Sequence, residues 1–328
     1  MAARASEPPI YSTSSRRSCV ANKGASFARR FRRHADWLVE ERRSPLYARL
    51  LVGAAGDIEA GGTVAELVDG VDAPPGAVPQ LRFLAALHEL VLGGDAPVLA
   101  EFFPSAGGDR PVDEAWPAAA AVIEDHFDWI RGRMALGVQT NEPGRSAVLF
   151  GALLWLTEVY GMPIRLLELG ASAGLNLRCD RYGYVVGGRL LGDRESPLRF
   201  TEPWDPGPAV DLDRAAAALR IVARAGCDLA PLDPAVPEDR LRLLSYIWPD
   251  ELERIERART ALALAAAAPC PVASQTASAW LSDVLPELAH GTLTVIWHSV
   301  VRQYVAADEW LAIQRAVASA SGSTVLLG

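Results

Sequence analysis

Apolar and polar positions follow a helical period throughout the N-terminal part of the chain. Apolar side chains recur three or four positions apart, for example at Ile123, Phe127 and Ile130, with polar residues between them. A stretch rich in Ser, Ala and Arg, without such a period, comes first. The pattern predicts a disordered leader over residues 1–26 and a helical domain over residues 27–137.

The pattern changes from residue 138, where short apolar runs bounded by turn residues alternate with helical segments. The runs are IRLLELG at 164–170, IVARAGCD at 221–228, PVAS at 271–274, TLTVIWH at 292–298 and STVLL at 323–327. Strands that alternate with helices predict a mainly parallel sheet with right-handed crossovers. YVVGGRLL predicts a hairpin within an insertion at residues 182–208. We therefore expect an α/β fold whose C-terminal domain spans residues 138–328.

Charge and composition narrow the classes of partner. The formal net charge is -8, so polyanions such as nucleic acids and anionic membranes are repelled and are not expected partners. No apolar run approaches the ~20 residues that a membrane-spanning helix needs. The four cysteines are scattered without a C-x-x-C pair, as in a reduced cytoplasmic protein. We expect a cytoplasmic protein that acts on a small molecule or a peptide.

Residue type excludes two kinds of site chemistry. Lys23, the single lysine, lies in the predicted leader, so a Schiff-base, P-loop or kinase-type lysine inside the fold is not expected. The histidines show no H-x-H or H-x-x-x-H spacing, so no metal site is expected.

The stretch LLELGASAG, residues 166–174, runs from an apolar strand into a turn of small residues. Three interpretations of it stay open. Small residues let the backbone pack closely at any strand-to-helix turn, so the stretch can be purely structural. Glu168, Gly170 and Gly174 match E-x-G-x-G-x-G, with Ser172 in place of the middle glycine, and this match favours a cofactor loop. The same letters satisfy G-x-S-x-G, in which Ser172 is the nucleophile of a serine hydrolase.

The cofactor-loop interpretation resembles the first motif of class I S-adenosylmethionine-dependent methyltransferases. In that family the glycines let the backbone approach the amino-acid part of the cofactor, and an acidic residue after the second strand binds the ribose hydroxyls. Asp228, in AGCDLAPLD, is similar to that acidic residue, although it lies 58 residues after Gly170, against about 20 in a plain βαβ unit. The predicted insertion accounts for the difference. The resemblance implies S-adenosylmethionine as cofactor, bound by Glu168, Gly170, Ser172, Gly174, Asn176 and Asp228.

The hydrolase interpretation has the order of a catalytic triad in its favour, since Asp228 or Asp283 and then His298 follow Ser172. The hydrolase fold, however, places several strands before the nucleophile, whereas the chain before this turn has a helical pattern. No H-G-G-type oxyanion segment precedes the turn either.

Two further segments place polar residues next to predicted strands. QTNEPGRS, at residues 139–146, precedes the helix that leads into the first strand, and we predict that its Asn141, Glu142 and Arg145 bind the substrate. A guanidinium suits a carboxylate because it offers two parallel hydrogen bonds. For Asn141, capping of the following helix is the alternative.

WHSVVRQYV contains the end of the fourth strand of the predicted sheet and the residues that follow it, where this kind of fold presents substrate-facing groups. His298 is the best acid–base candidate because an imidazole titrates near neutral pH. Tyr304 is the second catalytic candidate, and Gln303 is a predicted substrate-binding residue.

The order of segments along the chain resembles one bacterial family. FRRHADWL, VQTNEPGRSA, LLELGASAGLNL, GCDLAPLD, IWPDE and TLTVIWHSVVRQYV are together similar to the proteins grouped as domain of unknown function 2332. The resemblance implies a methyltransferase-like Rossmann domain after a helical domain, with the sheet truncated or divergent after its fifth strand. It implies no activity. Our leading hypothesis is methyl transfer from S-adenosylmethionine, and the alternatives are a non-catalytic protein that has lost the cofactor and a serine hydrolase using Ser172.

Overall fold

The computed structural model of the chain describes residues 13–69, 71, 77–287, 291–320 and 323–328. It divides into two compact units. The first contains Met1–Leu136 together with Trp248–Asp250, and the second contains Gly137–Ile247 together with Glu251–Gly328.

The first unit is helical over its described residues. Its helices are α1 (Thr13–Glu40), α2 (Pro45–Ala60), α3 (Thr63–Asp69), α4 (Pro79–Gly93), α5 (Pro97–Ala100), α6 (Ala115–Asp125) and α7 (Phe127–Ala135). The apolar stripes read from the sequence supply its core, since Phe31, Leu38 and Phe83 are buried while Arg29 and Arg33 are exposed. Helix α1 begins inside the segment predicted as a leader, of which residues 1–12 lie outside the described residues.

The second unit alternates strands and helices. Its strands are β1 (Ile164–Leu169), β2 (Gly183–Val186), β3 (Arg189–Gly192), β4 (Arg199–Thr201), β5 (Ile221–Asp228), β6 (Val272–Ser274), β7 (Leu293–His298) and β8 (Thr324–Leu327). Its helices are α8 (Arg145–Tyr160), α9 (Leu212–Ala218), α10 (Pro237–Ser245), α11 (Leu252–Ala267), α12 (Ala277–Val284) and α13 (Ala307–Ser319). Among the described residues, β1 is the first strand of the chain, as the helical pattern before it predicts.

Five of these strands form one parallel sheet in the order β6-β5-β1-β7-β8. In chain order this is 3-2-1-4-5, the arrangement of a Rossmann-type sheet. The predicted α/β class and mainly parallel sheet are confirmed. Strand β1 is central, and its residues are almost completely buried because helices cover both faces of such a sheet.

A second, three-stranded sheet lies between β1 and β5 in the chain, where the sequence indicates an insertion. Strands β2 and β3 form an antiparallel hairpin about Gly187-Gly188, and β4 pairs with β2 in parallel. The ring of Tyr184 in β2 stacks on Phe150 of α8, with 4.2 Å between the ring centroids. Trp204, which follows β4, stacks on both rings and donates its indole N–H to Ala147 O at 2.9 Å. This aromatic stack fixes the insertion to α8.

Helix α8 leads directly into β1 and ends where the sequence predicts. Its last residue is Tyr160, and Gly161 follows in the left-handed conformation with φ of 61°, which glycine adopts without strain. None of the helices in the described part of the chain combines the length and apolar character required to cross a lipid bilayer.

Replacement of Phe150 by alanine tests the aromatic stack. Phe150 is buried and holds the insertion through Tyr184 and Trp204, so F150A is expected to lower the free energy of unfolding by about 3–5 kcal/mol. Val148→Ala, on the exposed side of the same helix, is the control and should change it by under about 0.5 kcal/mol. Equal effects of the two substitutions in urea unfolding would show that the stack contributes nothing.

Candidate functional site

The carboxyl ends of β1, β5 and β7 meet at one edge of the sheet. Leu169 at the end of β1 pairs with Cys227 of β5 on one side and with His298 of β7 on the other. The chain order reverses between β1 and β7, and ligands of open α/β sheets bind in the crevice at such a switch point. The predicted cofactor-binding and catalytic residues lie near the ends of these strands or in the connections that follow them, whereas Asn141, Glu142 and Arg145 come from the segment that leads into α8.

The loop after β1 has a backbone that favours glycine at three positions. Gly170, Ser172 and Gly174 have φ values of 69°, 53° and 66°, all in the left-handed region. A Cβ atom on Gly170 would lie 2.7 Å from Val301 Cγ2, so this position has no room for a side chain. Ser172 adopts the same region at an energetic cost that glycine does not have. The missing middle glycine therefore leaves the predicted loop geometry in place.

Ser172 donates two hydrogen bonds. Its backbone N–H donates to Asp228 Oδ2 at 3.0 Å, and its hydroxyl donates to Gln139 Oε1 at 2.6 Å. Gln139 in turn donates to Ala230 O at 3.0 Å and, more weakly, to Asp228 Oδ1 at 3.4 Å. The two motifs that lie 58 residues apart in the sequence are thus in direct contact.

Asp228 is half-buried at the end of β5 and accepts hydrogen bonds from its own surroundings. Besides the Ser172 N–H, the N–H of Ala230 donates to its Oδ1 at 2.9 Å. A carboxylate offers about four acceptor sites. With three donors engaged, Asp228 retains room for one further donor, and its bonds to the loop fix the direction in which that site points.

Glu168, two residues before the loop, is fully enclosed in the sheet. It is 2 % exposed, its Oε1 accepts from Asn176 Nδ2 at 3.4 Å, and its Oε2 has no hydrogen-bond partner among the described residues. Burial raises the pKa of Glu168 to about 8, against the opposing effects of Asn176 and of the Arg145 charge. The side chain is therefore mostly protonated at neutral pH and retains an unused polar atom.

Asn176 opens a short 3-10 helix, Asn176–Arg181, where the sequence pattern allows a longer α-helix. Its side chain is buried, and its Oδ1 accepts the hydroxyl proton of Ser146 at 2.9 Å. The amide therefore links the start of α8 to Glu168 through one bond at its oxygen and one at its nitrogen.

Arg145 is the first residue of α8 and is half-buried beside the crevice. Its Nη1 donates to Ser299 Oγ, after β7, at 3.3 Å, and it forms no ion pair with a carboxylate in the described part of the chain. Burial lowers the pKa of Arg145, and the positive end of the helix dipole also disfavours a cation there. The bond to Ser299 uses one of the five N–H donors of a guanidinium, so Arg145 has further donors available for an anion.

Asn141 and Glu142, which we predict to bind the substrate, also form hydrogen bonds within the protein. The Asn141 side chain does not cap α8; its Oδ1 accepts the N–H of Leu175, at the end of the Gly-rich loop, at 2.9 Å. The alternative of helix capping is wrong because the chain turns once more before α8 begins. Glu142 accepts from Gly144 N and from Arg254 Nε, at 2.9 and 2.8 Å.

These contacts tie Glu142 to α11 as an ionised group. Burial acts to raise the pKa of Glu142, but the N–H of Gly144 and the charges of Arg254 and Arg257 together lower it. With these partners the carboxylate positions the segment that carries Arg145.

The three residues predicted at the end of β7 and in the connection after it differ in exposure. His298 is half-buried, with its ring edge against Trp310 at 5.0 Å between centroids and its Nδ1 without a partner among the described residues. Burial lowers the pKa of His298, and the charge of Arg302 adds to this, so the imidazole is neutral at pH 7. Tyr304 is 49 % exposed and Gln303 is exposed as well.

Ser299 and Val301 lie within WHSVVRQYV, but the sequence pattern does not single them out from the rest of that segment. Ser299 binds Arg145 and Val301 covers Gly170, and both belong to the connection after β7. Only the strand order, which places that connection next to β1, could have identified them. Among the described residues no group of three metal-ligating side chains comes together.

Comparison with known proteins gives one family. A family model described as "Uncharacterized protein conserved in bacteria (DUF2332)" matches residues 28–327. No curated protein and no solved structure matches the chain.

Replacement of Glu168 by glutamine tests the buried carboxyl. The group binds a proton in the folded state up to a pKa of about 8 but loses it near its ordinary value of 4.5 when unfolded, so native stability falls as pH rises between these values. Glutamine has no proton to lose in this pH range, so E168Q does not show this fall in stability. Its free energy of unfolding relative to the unmodified protein should rise with pH, by at most about 1.4 kcal/mol per unit, and level off above pH 8.

Urea unfolding at several pH values measures this difference. Exposed Glu195→Gln is the matched control and should show no such trend. A difference for E168Q that stays constant from pH 5 to 8.5 would contradict a protonated Glu168.

Proposed function

The chain belongs to the DUF2332 family of uncharacterised bacterial proteins, and we propose that it binds S-adenosylmethionine and transfers the methyl group to a small-molecule or peptide acceptor. One observation carries the proposal. The Gly-rich loop after β1 and the acidic residue at the end of the adjacent β5 are joined by the bond from Ser172 N to Asp228 Oδ2. This is the arrangement that the resemblance to class I methyltransferases implies.

The charges around the loop fit the parts of this cofactor. Its amino-acid end carries an ammonium and a carboxylate, and its ribose carries two hydroxyls. Glu168, with a buried and unpartnered Oε2, suits the ammonium, while Arg145, which has no ion pair among the described residues, suits the carboxylate. Asp228, with one acceptor site left, suits a ribose hydroxyl.

The methyl group of S-adenosylmethionine is already activated by the sulfonium, so the protein has to position the acceptor and remove its proton. His298, at the end of β7, is neutral at pH 7, and a neutral imidazole can take that proton. Tyr304 stands near Arg145 and is the second candidate for this role. Gln303 is exposed in the same connection and can contact the acceptor.

A non-catalytic protein that has lost the cofactor is the second candidate function. The observation in its favour is that Asp228 already accepts three hydrogen bonds from Ser172, Ala230 and Gln139. A carboxylate so engaged can serve as a structural cap for the loop. Binding of the cofactor distinguishes the two candidates.

The serine hydrolase has no such support. The Ser172 side chain is buried, and its hydroxyl proton is directed to the Gln139 amide oxygen, which cannot accept it as a base. The β1 strand is also the first strand of the described chain, whereas that fold places several strands before its nucleophile.

Calorimetry with S-adenosylhomocysteine tests the proposal. We expect saturable binding by the unmodified protein, and an affinity about 10- to 100-fold weaker for Asp228→Asn, which removes the charge that a hydroxyl donor prefers. Asp213→Asn, an exposed residue paired with Arg189, is the matched control and should bind normally. Absence of binding by the folded, unmodified protein would favour the non-catalytic alternative.

Fluorophosphonate labelling followed by peptide mass spectrometry tests the hydroxyl of Ser172. Because this hydroxyl is buried and bound to Gln139, we expect no adduct on the peptide that contains it. An adduct there that S172A abolishes would restore the hydrolase hypothesis.

A further inference from the structure

A cavity of about 260 Å³ lies beside the Gly-rich loop, away from the switch point. Its walls come from the 3-10 helix after the loop, the segment after β5, the end of α11 and the start of β6. Leu232, Ala266 and Val272 belong to these walls, with Pro231, Pro234 and Pro269 among the other residues. Ala173 of the Gly-rich loop also lines it, whereas Glu168, Asp228 and His298 of the proposed cofactor site do not.

One buried cation, Arg178, lines this otherwise mostly apolar cavity. It is 4 % exposed, and its bonds go to the backbone oxygens of Gly174, Ala265 and Ala268. These bonds use four of the five N–H donors of a guanidinium and leave one on Nη1. Within the described part of the chain it forms no ion pair, because the nearby Asp180 pairs with Arg224.

A buried charge without a counter-charge is costly, and carbonyl oxygens carry only partial negative charge. The carbonyls at the end of α11 offset part of that cost through the helix dipole. A ligand with a full negative charge would offset it further. The cavity therefore combines an apolar wall with one site for an anionic group.

We propose that this cavity binds a small monocarboxylate with an aromatic or branched apolar body, its carboxylate on Arg178 and its body between Leu232, Ala266 and Val272. The volume sets the size, because an apolar cavity of about 150 Å³ accommodates benzene. The charge sets the number of carboxylates, because Arg178 is the one cation among the lining residues and the exposed Asp233 repels a second anionic group.

The ligand would also act on the loop that it adjoins. Arg178 Nη1 donates to Gly174 O at 2.6 Å, and the N–H of Leu232 donates to Ser172 O at 3.4 Å. Both donors belong to residues that line the cavity. A ligand that contacts Arg178 and Leu232 would therefore slow the opening of the loop. This effect does not depend on methyl transfer.

Calorimetry with phenylacetate as the probe tests the proposal on the full chain. We expect saturable binding at one site, and binding of the neutral phenylacetamide at least about 10-fold weaker, because it lacks the charge that pairs with Arg178. Hydrogen exchange should show slower exchange of the amides of Ser172 and Leu232 when phenylacetate is present. Equal binding of the two probes, or no saturable binding of phenylacetate, would overturn the proposal.

Two substitutions on consecutive residues of α11 locate the site. Ala266→Phe places a ring in the cavity and is expected to weaken phenylacetate binding by at least about 10-fold. Ala267→Phe, whose side chain is exposed and does not line the cavity, should bind within about two-fold of the unmodified protein. Arg178→Gln should also weaken phenylacetate binding. Arg178 caps the end of α11, so if R178Q does not fold, the test rests on A266F alone. Normal binding by folded A266F would refute the site.

Discussion

The parallel pairing of β1 with β5 on one side and β7 on the other is the constraint on which the rest of the second unit depends. It brings the carboxyl ends of three strands to one edge of the sheet, although their residues are separated by up to about 130 positions of sequence. That pairing places the Gly-rich loop, Asp228 and His298 at the same edge of the sheet. A shift of one residue in the register of β1 would turn Glu168 to the opposite face of the sheet and break the link to Asn176.

The buried ionisable groups at this edge of the sheet lower the stability of the folded protein. Glu168 is enclosed without a cationic hydrogen-bond partner, and Arg145 stands at the positive end of α8 without an ion pair in the described residues. Burial keeps Glu168 mostly uncharged and disfavours the charge of Arg145, so a cation beside Glu168 and an anion beside Arg145 would stabilise the ionised form of each. Local arrangements that weaken the folded state are concentrated at binding sites, because there a ligand compensates for them.

Much of the fold could be predicted from the sequence, because strand and helix periods are local properties. The five strands of the main sheet and the hairpin occur where apolar runs and turn residues indicate them. The position of Asp228 at a strand end could be predicted for the same reason. The partners of individual side chains could not, since Asn141 binds Leu175 and Arg178 binds the end of α11 through contacts that arise only when distant segments pack. A sequence motif identifies the residues of one turn, but it does not identify the residues from distant segments that pack against that turn.

The left-handed conformation of Ser172 has a consequence for how this position can change over evolutionary time. Valine, isoleucine and threonine are strongly disfavoured there because a branched Cβ collides with the backbone, whereas glycine, asparagine and aspartate enter that conformation more readily. Drift from serine is thus confined to a few neighbouring residue types, and glycine among them would give up the hydroxyl that holds Gln139. A branched residue in a descendant sequence would signal that the loop itself has been rebuilt.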